Sequence, residues 1–96
     1  MNSIAYLPEA VAEIVAAEHW YADQSLEAAV GFVADVRRGL EQIAAHPESW
    51  PRHDERHRAY SLDNFPYVLV YRVNADQILI VAVAHNSRRP NYWRKR

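Results

Sequence analysis

YSLDNFPYVLVYRVNADQILIVAVAH, residues Tyr60–His85, is the stretch whose reading decides the fold. Three short runs rich in β-branched and aromatic residues are separated by Asp63-Asn64 and by Asn74-Ala75-Asp76, which predicts an antiparallel meander. Side chains alternate along a strand, so Tyr67, Leu69, Tyr71 and Val73 are expected on one face and Val68, Val70 and Arg72 on the other. The last run is apolar on both faces: Leu79, Val81 and Val83 against Ile78, Ile80, Ala82 and Ala84. A strand apolar on both sides belongs in the middle of its sheet. Arg72 within this pattern and His85 at its end are the polar residues that stand out.

Length and composition bound what surrounds the meander. At 96 residues the chain is expected to form one domain, residues 1–96, with a single two-layer core and no linker. There is no cysteine, which excludes a disulfide framework and a thiolate metal site. The first residues carry no charged and apolar leader pattern, and no apolar run reaches the length of a membrane span, so a soluble cytoplasmic protein is expected. His19, His46, His53 and His57 lack zinc-ligand spacing, so no metal or other cofactor is expected.

Charge is unevenly distributed along the chain. Residues 1–49 hold eight acidic and two basic side chains, a net of −6, and residues 50–96 hold nine basic and four acidic, a net of +5. The C-terminal half therefore reads as a basic surface for a nucleic acid or an acidic protein. Helices that collect glutamate on their wet faces account for part of the asymmetry.

Upstream of the meander, residues 3–7 read as a short first strand ended by Pro8. Proline suits the first turn of a helix, and Glu9 favours the positive end of its dipole. Ala10, Ile14, Ala17 and Tyr21, widened by Val11 and Val15, predict a helix over residues 8–22. Asp23-Gln24-Ser25 breaks it, and Ser25 can cap a second helix with the stripe Leu26, Ala29/Val30, Val33, Val36, Leu40 and Ile43, stopped by His46-Pro47. The two should form an antiparallel hairpin on one face of the sheet. Gly31 and Gly39 inside the second helix suggest close approach to a neighbour. Residues 48–58 form a polar loop with Trp50, His53, His57 and three arginines, and residues 86–96 a short basic, aromatic tail.

The order Pro8-Glu9, His46-Pro47, Phe65-Pro66-Tyr67, Tyr71-Arg72-Val73, Ala84-His85 and Arg88-Arg89-Pro90-Asn91-Tyr92-Trp93-Arg94 resembles the RelE/ParE superfamily of bacterial toxins over essentially the whole chain. The resemblance implies an α+β fold, β-α-α-β-β-β, with the helical hairpin packed on a small antiparallel sheet. It also implies a type II toxin–antitoxin, or plasmid stabilisation, system with a ParD-like ribbon-helix-helix or related antitoxin. RelE-like members cut mRNA on the ribosome. That chemistry needs a group to activate the ribose hydroxyl, cations for the charged phosphorane and a proton donor, for which Arg72, His85, Arg88, Arg89 and Tyr92 are the candidates. RelE-like enzymes place lysines on the sheet, whereas this chain has one lysine, Lys95. ParE-like members poison DNA gyrase without enzymatic chemistry, and the Phe65-Pro66-Tyr67 and Tyr71-Arg72-Val73 pairing with a long hairpin favours them. A degenerate toxin kept only to bind antitoxin is a third reading.

On the ParE-like reading, Arg88, Arg89, Tyr92, Trp93 and Arg94 are the candidate target-binding residues, since cations interleaved with aromatics suit phosphate or an acidic partner. Tyr67, Tyr71 and Arg72 are the candidate contacts for an antitoxin that folds over the sheet. Each has a plain structural alternative. Arg72 could pair with Asp76, His85 could hold a strand end, and Trp50 and Trp93 could pack over the sheet and tail.

Overall fold

The computed structural model describes residues 3–96, in the order β1 (Ser3–Tyr6), α1 (Pro8–Gln24), α2 (Leu26–Ala45), β2 (Arg58–Ser61), β3 (Tyr67–Asn74) and β4 (Gln77–His85). Pro8 occupies the first turn of α1 with Glu9 beside it, and Ser25 Oγ accepts from Ala28 N at 2.9 Å to cap α2. The β-α-α-β-β-β order is the expected one. Strand order is β1-β4-β3-β2, which places the doubly apolar β4 in the interior.

The sheet is mixed rather than wholly antiparallel, because β1 pairs parallel to β4, from Ser3↔Gln77 to Tyr6↔Ile80. Parallel neighbours need a long crossover, and here the hairpin, β2 and β3 all lie between them. A second departure sits within β4. Val70 pairs with Ala82 but Tyr71 with Ile80, so Val81 is an extra residue and a β-bulge. The bulge inverts the alternation beyond it. Ile78, Ile80 and Val83 face the helices, while Leu79, Val81, Ala82 and Ala84 join a second apolar cluster on the opposite face.

The hairpin covers the first face. Its buried residues are Ala10 and Ala17 from α1 and Ala29, Phe32, Val36, Gly39 and Ile43 from α2. The α2 stripe is thus rotated from the expected one, with Phe32 at its centre and Leu26 and Val30 left 75% and 63% exposed. Burying Phe32 completely stabilises the fold by about 2–3 kcal/mol. Gly39 permits the closest approach of helix to sheet: a Cβ there would lie 2.9 Å from Leu69 Cδ1 and 3.0 Å from Tyr60 Cε1. Asp35, 1% exposed, accepts from Asn64 N at 2.9 Å, Asn64 Nδ2 at 3.2 Å and Arg38 at 2.8 Å, pinning the β2–β3 turn to α2. Burial pushes its pKa up, but these bonds outweigh it and hold the carboxyl below its ordinary range.

Candidate functional site

The second face of the sheet is covered by the tail, and this organises the candidate site. Trp93, 4% exposed, packs with Val70, Val81, Ala82 and Ala84. Tyr92 Oη donates to Glu13 Oε2 at 2.6 Å, and Arg96 reaches both carboxylate oxygens of Glu13 at 3.0 Å. Burial pushes the Tyr92 hydroxyl pKa up, and the Glu13 carboxylate beside it adds to the rise. Glu13 also serves the sheet. Beyond Tyr6, among the described residues, no strand flanks the outer edge of β4, and there Val83 N donates to Glu13 Oε1 at 2.9 Å while Val81 O accepts from Arg96 at 3.1 Å. Burial raises the Glu13 pKa, but the bonds from Arg96, Tyr92 and Val83 prevail and lower it overall.

The tail also meets the loop between α2 and β2. The start of that loop hangs on the sheet, where Tyr71 Oη donates to Pro47 O at 2.7 Å, and Trp50 stands edge-on to Tyr60 at 4.8 Å. Asp54 then folds the chain into a tight turn, accepting from Arg56 N and His57 N, each at 2.8 Å, and from His57 Nδ1 at 2.9 Å. Burial opposes its ionisation, yet these donors lower its pKa to about 2. His57 is 2% exposed, and its Nε2 lies 3.3 Å from Arg72 Nη1. A guanidinium can only donate, so Nε2 accepts and the ring proton sits on Nδ1, facing Asp54. Trp93 caps the arrangement edge-on, 4.7 Å from His57 and 5.0 Å from His53, and His53 is bonded to Asn91.

Two basic segments remote in sequence are thereby brought side by side. Arg94 Nε stands 3.7 Å from Asp54 Oδ2, the carboxylate that also holds the Arg56 turn. Between the loop and the end of β3 lies a cleft of ≈ 330 Å³ lined by Arg52, Arg56 and Arg58 together with Glu48, Glu55 and His57. Two further grooves flank the hairpin. One of ≈ 460 Å³ is lined by Tyr6, Val11, Ile14, Val33, Val36 and Leu40, and one of ≈ 610 Å³ lies between α1 and the β4 end, beside Trp20, Tyr67, His85 and Arg88.

The residues singled out from sequence are only partly gathered. Of the five expected to bind a target, Arg88, Arg89 and Arg94 are exposed, whereas Trp93 is buried and Tyr92 is held by Glu13 beneath the Arg88 guanidinium, 4.0 Å above its ring. The candidate antitoxin contacts are separated. Tyr67 is half-buried toward the helices, Tyr71 is wholly enclosed there, and Arg72 lies on the opposite face bonded to His57 rather than to Asp76. His85 accepts at Nδ1 from the Ser87 hydroxyl at 2.7 Å and stands edge-on to Tyr67 at 4.9 Å, on the hairpin side. Arg72 pairs with Leu79 and His85 with Tyr67, so the two are separated by five positions along the strands as well as by the sheet itself. That is roughly 16 Å along the strand direction. Glu13 and Asp54 are functional groups that the sequence did not single out, entering there only in the count of acidic side chains. Among the described residues no group of three His, Asp or Glu side chains is placed to hold a metal ion, and no helix is long and apolar enough to cross a membrane.

Two helices on a four-stranded mixed sheet, in the order β-α-α-β-β-β, are the architecture expected of a small toxin of the RelE/ParE type. Residues 4–90 match the family described as the ParE toxin of the type II toxin-antitoxin system parDE, and the chain belongs to that family. Among solved structures it is similar to the chromosomal ParDE TA system from P. aeruginosa, with a TM-score of 0.70 and 22% identity over 88% of this chain and 96% of that one. No curated protein matches the sequence.

Proposed function

We propose that this ParE-type toxin is a cytoplasmic, non-enzymatic inhibitor of DNA gyrase, neutralised by a cognate antitoxin. The observation that carries the reading is the scattering of the groups that RNA cleavage would require. Arg72 and His85 occupy opposite faces and opposite ends of the meander, and Tyr92 is held on Glu13. A general acid and base must reach one phosphodiester together. Arg72 is cut off from His85 by the sheet, and although His85 and Arg88 line one groove with Glu13, the Tyr92 hydroxyl there is already donated to Glu13. Membership of the ParE family supports the same choice.

The antitoxin is assigned to the hairpin rather than to the sheet, since both sheet faces are occupied by the chain itself. Val11, Val15, Trp20, Leu26 and Val30 are all at least 43% exposed, and the groove beside Val11 and Leu40 is predominantly apolar. Such a surface suits an amphipathic helix from a partly disordered, ParD-like ribbon-helix-helix partner. The test is a gyrase supercoiling and DNA-cleavage assay with purified toxin, with and without its operon neighbour. Inhibition relieved by the neighbour is the expected result. Growth arrest with gyrase unaffected and transcripts cut inside codons would overturn it in favour of a ribosome-dependent nuclease, and no growth arrest at all would indicate a toxin kept only to bind antitoxin.

A further inference from the structure

The cleft between the 46–57 loop and the end of β3 contains more cationic capacity than its own structure uses. Among the described residues, none of Arg52, Arg56, Arg58 and Arg72 has a carboxylate within 4.0 Å; the arginines that form ion pairs are Arg38, Arg94 and Arg96. Arg52 gives one N–H to Glu55 O at 3.3 Å, Arg58 one to Trp50 O at 2.8 Å and Arg72 one to His57. A guanidinium has five N–H donors in a planar fork, so most of these remain available. Burial lowers the Arg72 pKa and the charge of Arg56 lowers it further, so Arg72, though not itself lining the cleft, lies within reach of the Arg56 charge.

The backbone holds these groups in position. Arg52 and Arg58 face each other across a β-bridge, and Asp54 fixes the turn that carries Arg56. Trp93 and the His53–Asn91 bond hold the loop to the tail. Glu48 and Glu55 offset part of the charge, leaving the arginines of the cleft in excess.

We infer that this cleft binds the phosphodiester backbone of a nucleic acid through Arg52, Arg56 and Arg58. An acidic peptide fits less well. Such a partner brings apolar side chains that need a place to be buried, and the cleft offers only Val73 and Ala75, while the apolar grooves lie on the hairpin. A phosphate needs donors alone, and bidentate arginine supplies them. The inference rests on the geometry of the isolated chain and not on gyrase as its target.

The test is fluorescence anisotropy with purified full-length toxin and no gyrase, using a labelled DNA duplex in one arm and a single-stranded RNA in the other, across a series of salt concentrations. Each phosphate contact contributes about 0.9 to the slope of log K against log salt for duplex and about 0.7 for a single strand. Arg52→Gln with Arg56→Gln, both exposed, should lower the slope by about 1.8 on duplex and weaken binding by at least tenfold. Arg37→Gln, on the hairpin, should leave both unchanged. Binding in either arm with this loss supports the inference, the preferred arm naming the nucleic acid. Absence of binding in both arms at low salt would overturn it, as would a slope that the double variant leaves intact. A circular dichroism melt matching the parent establishes that the double variant is folded.

Discussion

Glu13→Gln tests whether the tail is an integral layer of the fold. The carboxylate accepts from Val83 N, Tyr92 Oη and both Arg96 Nη atoms, at 2.6 to 3.0 Å. An amide of the same shape has one acceptor oxygen, so its NH2 group must meet donors, and the Arg96 charge loses its counter-ion. Breaking a fully buried pair costs about 3–5 kcal/mol and an exposed one about 0–1. The Arg96 and Glu13 side chains are 17% and 15% exposed, between these limits but nearer the buried one, so a loss of about 2–3 kcal/mol is expected. For a chain of this size that lowers Tm by roughly 8–20 °C. Urea and thermal unfolding at neutral pH measure it. A red shift of tryptophan emission below the transition would report Trp93 leaving its contacts on Val70 and Ala82. A change below about 0.5 kcal/mol, with emission unchanged, would refute the reasoning and leave the tail a loosely attached strip.

The two helical glycines should respond with opposite sign to alanine. Gly31→Ala gains about 0.5–1 kcal/mol of helix propensity and brings its Cβ to 3.4 Å from the Phe65 ring tip, so Tm should rise. Gly39→Ala makes the same gain but drives a Cβ against buried Leu69 and Tyr60, costing about 1–3 kcal/mol, so Tm should fall; equal shifts would contradict the packing. Acid should destabilise the protein in a defined window. The Asp54 pKa is depressed from 3.8 to about 2, so its stabilisation is complete above pH 4 and lost as pH falls toward 2, with Glu13 and Asp35 lowered in the same sense. Urea midpoints that hold steady from pH 5 to about 2 would exclude this. Tyr71→Phe removes the hydrogen bond to Pro47 O and should cost about 1–2 kcal/mol of stability while leaving antitoxin affinity unchanged by titration calorimetry. A tenfold loss of affinity in a folded variant would return Tyr71 to the partner surface.

What was legible in the sequence follows from range. The helix start at Pro8, the cap at Ser25, the hairpin, the meander and the interior position of β4 all depend on local pattern, and they stand where they were read. The direction of β1 was not legible, because its partner is the last strand of the chain and nothing in Ser3–Tyr6 encodes whether it runs with or against β4. The bulge at Val81 was hidden by composition. In a run where every residue is apolar, an inserted residue changes no letter of the pattern, and only the pairing with β3 reveals it. The site was obscured for a related reason. Arg88–Arg96 reads as a solvated basic strip, and only the docking of Trp93 and the capture of Tyr92 and Arg96 by Glu13 divide it into anchors and exposed cations.

That division changes what the charge asymmetry means. The excess of basic residues in the second half of the sequence is not presented as one flexible tail. Arg96 is neutralised within the fold by Glu13 and Arg94 faces Asp54, while among the described residues the arginines of the loop and of β3, like Arg88 and Arg89 in the tail, have no carboxylate within 4.0 Å. Hairpin and tail cover the two faces of the sheet, which leaves the outside of the hairpin and the ends of the sheet open to solvent. The first of these is apolar and the second cationic, and the grooves that define them share no residue. A fold of this size can therefore present two chemically different surfaces at once, one suited to an amphipathic protein segment and the other to a phosphate backbone.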